Sequence, residues 1–110
     1  MDTNVKGKHF VGEKATLYIP DARDYYVALC RTPYTVIGVS ENELILQECK
    51  LYFYGDRYFD SVADEIVPDP SGRIMKVRWS ARKQRWQESP AGSYPHVPIF
   101  GVWEHQPYLN

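Results

Sequence analysis

The sequence predicts a mainly β fold: a small, strongly bent antiparallel barrel with one short helical turn and a proline-rich, largely irregular C-terminal tail. Three observations carry this expectation. Apolar residues recur at period two, β-branched and aromatic types dominate the apolar runs, and helical stripes are scarce.

Taken in order, Lys14 to Ile19 alternates, with Ala15, Leu17 and Ile19 on one face and Thr16 and Tyr18 on the other, until Pro20-Asp21 ends it. Tyr25 to Leu29 reads as a second short strand or an extended loop. Thr32-Pro33 leads into a stronger strand, Tyr34 to Val39. Ser40-Glu41-Asn42-Glu43 is a tight turn, since Asn tolerates positive φ, and Leu44 to Gln47 returns as the partner strand. Leu51 to Tyr54 is expected to extend the same sheet after a bend. Asp60 to Ile66 is the helical candidate, because Ser61 followed by Asp64 resembles a capping box, and Pro68 limits it to one or two turns. Arg73 to Trp79, a polar turn over Ala81 to Gln84, and Arg85-Trp86-Gln87 make a second hairpin. A four-residue turn there sets Trp79 opposite Trp86 and pins the register.

From Ser89 onward the composition shifts. Four of the eight prolines (Pro90, Pro95, Pro98, Pro107) lie there, and Glu104 is the only formally charged side chain. A regular element is not expected. The segment is nevertheless too apolar for a solvated linker, so it should wrap over the barrel, covering an edge strand, or dock on a partner. The organisation is therefore a barrel domain over residues 1–88 and a proline- and aromatic-rich extension over 89–110.

About five short strands in this length suit a barrel better than a sandwich, which needs about seven. The stretch from Phe10 to Trp86 resembles the SH3-like barrels, the group that includes Tudor and KOW-type modules. Val11-Gly12-Glu13 ahead of the first strand, the hairpin Val36-x-x-Val39-Ser40-Glu41-Asn42-x-Leu44-x-Leu46, and the late strand pair carry the resemblance. The short length and the lack of a catalytic motif also look like the small accessory proteins of phages and mobile elements. The fold resemblance itself licenses no activity.

At 110 residues the chain has room for one core, and 44% hydrophobic with 25% charged residues is the composition of a globular protein. A formal charge of -1 excludes the overall basic excess of a nucleic-acid coat. The polar opening lacks a secretory h-region, and no apolar run approaches the roughly 20 residues of a membrane helix. A cytoplasmic location without membrane attachment is expected. Cys30 and Cys49 form no CxxC pair or zinc spacing and read as reduced, partly or wholly buried thiols.

Charge is unevenly partitioned. Arg73, Lys76, Arg78, Arg82, Lys83 and Arg85 place six cations and no anion between residues 73 and 86. Lys76 and Arg78 share a face with Ile74, while Met75, Val77 and Trp79 point the other way. One reading of this hairpin is a nucleic-acid surface in which Lys76, Arg78, Arg82, Lys83 and Arg85 meet phosphates and Trp86 offers a stacking face. Another is a solvated edge with its tryptophans in the core. A third is neutralisation of the acidic stretch Asp56, Asp60, Asp64, Glu65 and Asp69, within the molecule or across a head-to-tail dimer. That stretch matches no calcium loop, so no metal is expected. The histidines (His9, His96, His105) show no ligand spacing, and no nucleophile elbow or phosphate loop occurs. Neither an enzyme nor a cofactor is expected.

The remaining feature is the aromatic excess. Tyr25, Tyr26, Tyr34, Tyr52, Tyr54 and Tyr58 cannot all be internal, because Tyr52 and Tyr54 alternate with Leu51 and Phe53. Either the tail's Pro95-His96-Val97-Pro98 covers them or they meet a partner. SH3-like barrels often use exposed aromatics to bind extended peptides. The leading expectation is thus a non-catalytic module binding a protein partner, or itself, through Tyr52, Tyr54, Tyr94, Phe100 and Trp103. Nucleic-acid binding by the basic hairpin is the alternative.

Overall fold

The structure is a computed structural model that describes residues 6–55 and 62–108. Its main sheet has six antiparallel strands in the order β7-β6-β3-β2-β1-β8: β1 (Lys14–Tyr18), β2 (Thr32–Val39), β3 (Glu43–Glu48), β6 (Ile74–Ser80), β7 (Arg85–Glu88) and β8 (Val97–Phe100). The sheet curls until its two edges meet. The Glu88 N–H donates to the His96 carbonyl at 2.8 Å, and the Glu88 carboxylate accepts both the His96 N–H and a contact from its Nδ1. The result is a small, nearly closed antiparallel barrel.

Both expected hairpins are present. β2 and β3 pair through Val39 and Leu44 around the Ser40 to Glu43 turn, with a bulge at Val36/Gly38 that bends the sheet. β6 and β7 pair with Trp79 opposite Trp86, the rings edge-to-face at 5.8 Å. The period-two faces sort as expected on β6: Val77 is buried, whereas Ile74, Lys76 and Arg78 are exposed. Ala15, Leu17, Tyr34, Val36, Leu44, Leu46, Val77 and Trp86 make the core.

Three expectations are corrected. The helix lies at α1 (Tyr25–Leu29), where a strand or loop was expected; Asp24 caps it by accepting the Tyr26 N–H at 2.8 Å. The helical candidate further on contains a strand, β5 (Glu65–Val67), because the Asp64 side chain accepts the Tyr54 N–H at 2.8 Å and so ties this segment to its neighbour. Asp60 and Ser61 of that candidate, with Asp56 and Tyr58, lie outside the described residues. Leu51 and Tyr52 do not extend the main sheet. They belong to β4 (Lys50–Tyr52), which pairs with β5 as a separate two-stranded ribbon. The chain leaves the barrel at Cys49, whose N–H donates to the Pro33 carbonyl at 3.0 Å.

The tail supplies a regular element where none was expected. β8 pairs with β1 in register Ala15 to Phe100 and Tyr18 to Val97, and Pro98 is accommodated because β8 is an edge strand. Gly101, at φ 90, then turns the chain back across the outer face of the sheet. There Thr16 donates to the Val102 carbonyl at 2.8 Å and accepts the Glu104 N–H at 2.9 Å. This explains why Thr16, on the face of β1 opposite Ala15 and Leu17, is fully buried. Among the described residues no helix is long and apolar enough to cross a membrane.

Candidate protein-binding groove

Three segments distant in sequence converge beside the barrel. α1 contributes Leu29, the ribbon contributes Val62, Ala63 and Ile66, and the returning tail contributes Trp103 to Gln106, with Arg31 at the junction. Together they enclose an open groove of about 600 Å³, the size that accepts a few side chains of a binding partner.

Each wall is held by specific polar contacts. The Trp103 indole N–H donates to the Tyr34 carbonyl at 2.9 Å, and the Lys14 ammonium lies 4.6 Å from its ring centroid. Arg31 and Gln106 exchange backbone hydrogen bonds, both 2.9 Å, fixing the tail against the start of β2. The Arg31 guanidinium is used internally: it donates to the Ala28 and Cys30 carbonyls behind α1 and lies over the Tyr18 ring at 4.6 Å. The ribbon is tied to the tail by His105, whose Nδ1 accepts the Ala63 N–H at 2.8 Å and whose ring meets Phe53 edge-on. Since Nδ1 is an acceptor, the neutral ring carries its proton on Nε2. Burial holds His105 below the usual imidazole range, consistent with that form.

Exposed tyrosines lie outside the groove's lining, on the ribbon and at α1. Tyr52 is 36% and Tyr54 57% exposed on the ribbon, and Tyr25, Tyr26 and Tyr108 form an exposed cluster at α1. Two of these tyrosines meet carboxylates. Tyr54 donates to the Glu65 carboxylate and Tyr108 to that of Asp24 at 3.3 Å, which raises both phenols above their ordinary range.

Of the five residues expected to bind a protein, Trp103 lines the groove, whereas Tyr52 and Tyr54 are exposed on the ribbon outside its lining, Tyr52 on the face of the ribbon opposite Ile66. Tyr94 is 43% exposed in the connection from β7 to β8 and does not line the groove. Phe100 turns toward the barrel, where it packs against the core and lies 4.0 Å from the His9 ring, so it is a structural residue. Nor does the Pro95 to Pro98 segment cover Tyr52 and Tyr54, since it closes the barrel instead. Leu29, Val62, Ile66 and His105 were missed, because nothing in the sequence brings these segments together.

The basic hairpin sorts differently. Lys76, Arg78, Arg82 and Lys83 are exposed. Arg85 donates to Asp21 at 2.9 Å and to Gln87, and its hydrogen bond holds the Asp21 carboxyl below the usual carboxylate range. Trp86 is corrected from stacking face to core: it is 5% exposed, and its indole N–H donates to the Lys6 carbonyl at 2.9 Å. Cys30 and Cys49 are free thiols raised above the usual range by burial. Among the described residues no group of three or more His, Cys, Asp or Glu side chains is placed to hold a metal ion.

No family model, curated protein or solved structure matches the chain.

Proposed function

We propose that this protein is a non-catalytic binding module, an SH3-like barrel whose ribbon and tail form a seat for a segment of another polypeptide chain. The observation that carries the reading is an open apolar groove whose tryptophan is fixed by a main-chain hydrogen bond. Trp103 is therefore presented without the entropy cost of ordering a loose side chain on binding. The nearly closed, strongly bent barrel supports the SH3-like assignment at the level of architecture. Exposed tyrosines on the ribbon and at α1 supply further rigid contact area with a polar end, the side-chain type that suits protein interfaces.

Selection from a displayed library of unstructured peptides tests it. A recurring apolar motif is expected for the native protein and is expected to vanish for Val62→Arg, which blocks the groove at a position already 49% exposed. Failure to enrich any sequence over the Val62→Arg protein would overturn the reading.

A further inference from the structure

We infer that the outer face and turn of the β6-β7 hairpin form a second interaction surface, one that binds the phosphate backbone of double-stranded DNA. This surface is separate from the groove, and the inference does not depend on the groove reading.

The sequence concentrates cations here, and the fold leaves most of them unpaired. Of the six between residues 73 and 86, Arg73 lies 3.8 Å from Glu48 and Arg85 is bonded to Asp21. Lys76, Arg78, Arg82 and Lys83 are exposed, and none forms an ion pair with a described residue. Two carboxylates stand near them. Glu43 is opposite Arg78 on β3 without pairing to it, and Asp21, which also feels the charge of Lys83, is held by Arg85 at 2.9 Å. The alternation that buries Val77 puts Lys76 and Arg78 on the outward face of β6, about 7 Å apart along the strand. Gln87, opposite Arg78 on β7, adds an amide donor to the same face.

The arrangement of these charges selects the polyanion. They fall into two pairs, Lys76 with Arg78 on the strand and Arg82 with Lys83 in the turn, with main chains on the order of 15 Å apart. That separation lets the pairs straddle the ~12 Å major groove of B-form DNA and meet phosphates of both strands. A-form RNA does not offer that span, because its major groove is deep and narrow. A single strand would be held by base stacking, and the hairpin's two rings are not free for it: Trp86 is 5% exposed and Trp79 packs against the core. A lipid surface would call for a large apolar side chain to insert at the tip, and the turn runs Ala81, Arg82, Lys83, Gln84. Contacts to phosphates position a protein without reading bases, so binding is independent of sequence.

Fluorescence anisotropy of a labelled, mixed-sequence DNA duplex titrated with the full chain tests the inference. Four phosphate contacts predict a slope of log affinity against log salt of about -3.6, a roughly hundredfold weakening between 50 and 200 mM salt. Arg82→Ala with Lys83→Ala, and separately Lys76→Ala with Arg78→Ala, should each halve the slope to about -1.8 and leave the thermal melt unchanged, since all four side chains are exposed. Lys50→Ala, which removes an exposed cation on the ribbon, should leave the slope as it is. Single-stranded DNA, meeting one pair of cations only, should bind more weakly with a slope of about -1.4. Absence of binding to the duplex at about 50 mM salt overturns the inference, as does binding that neither double variant changes. Tighter binding to single-stranded DNA, duplex RNA or vesicles of anionic phospholipid overturns it as well. None of these results touches the groove reading, which falls only if peptide selection fails.

Discussion

Thr16 shows how one hydroxyl joins the tail to the barrel. It donates to Val102 and accepts from Glu104 while fully buried, so Thr16→Val keeps the shape and strands two main-chain groups. A loss of about 1–3 kcal/mol is expected in chemical denaturation, larger than for a typical surface substitution. His105 makes the corresponding link between tail and ribbon and gives it a pH dependence. Burial depresses its titration in the folded protein, so in the interval between that value and the ordinary imidazole value near 6.5 the unfolded chain binds more protons than the folded one. Stability contributed by neutral His105 is therefore complete above about pH 6.5 and is lost as pH falls through the folded value. Protection of the Ala63 amide, whose acceptor is Nδ1, should fall on acidification, so that its exchange slows less than the base-catalysed intrinsic rate does, and His105→Phe should remove that pH dependence.

At the scale of elements, the start of β6 depends on a close approach that only glycine permits. A Cβ on Gly72 would overlap the Glu48 carbonyl oxygen, a main-chain atom already positioned by the Glu48 N–H to Arg73 carbonyl bond at 2.8 Å. Gly72→Ala is expected to cost about 2–3 kcal/mol, read as a lower denaturation midpoint with unchanged slope. The elements that could be read from sequence are those whose partner is next in the chain. The Val36 to Leu46 hairpin and the Trp79/Trp86 pair have local turns and clear alternation, so register follows from the pattern. Those that could not be read have distant partners. β8 is hidden because proline argues against a strand unless it is known to be an edge, and its partner β1 lies some eighty residues earlier. α1 is hidden because five residues, Tyr-Tyr-Val-Ala-Leu, are too few to show a period and favour strand by type; Asp24 as a cap was the available signal. Asp64 was misread for the opposite reason. Its spacing from Ser61 fits a cap, and only the fold reveals the Tyr54 amide as the group it serves.

For the molecule as a whole, the last fourteen residues of the described chain close the barrel along β1, cover its outer face and build one wall of the groove. A chain ending at Ser89 would expose Thr16 and part of Leu17 and leave β1 as an edge. It is expected to lose its cooperative unfolding transition, and a separate peptide spanning 90–110 is expected to restore it in trans; calorimetry reads both. The site was legible only in fragments. Trp103 stands out in an aromatic-rich tail, yet the groove exists because β4 and β5 leave the barrel and the tail comes back to meet them, a tertiary event that no local pattern encodes.

The edge-to-face stacking of Trp79 and Trp86 in the core, at 5.8 Å and 71°, has an optical consequence. Two indoles held close in a fixed, skewed arrangement couple their electronic transitions and produce a paired positive and negative band in the circular dichroism spectrum. The third tryptophan, Trp103, lies in the groove and contributes emission without that coupling. A single sample thus carries two independent signals: the exciton bands report whether the barrel is intact, and the Trp103 fluorescence reports whether the groove is filled.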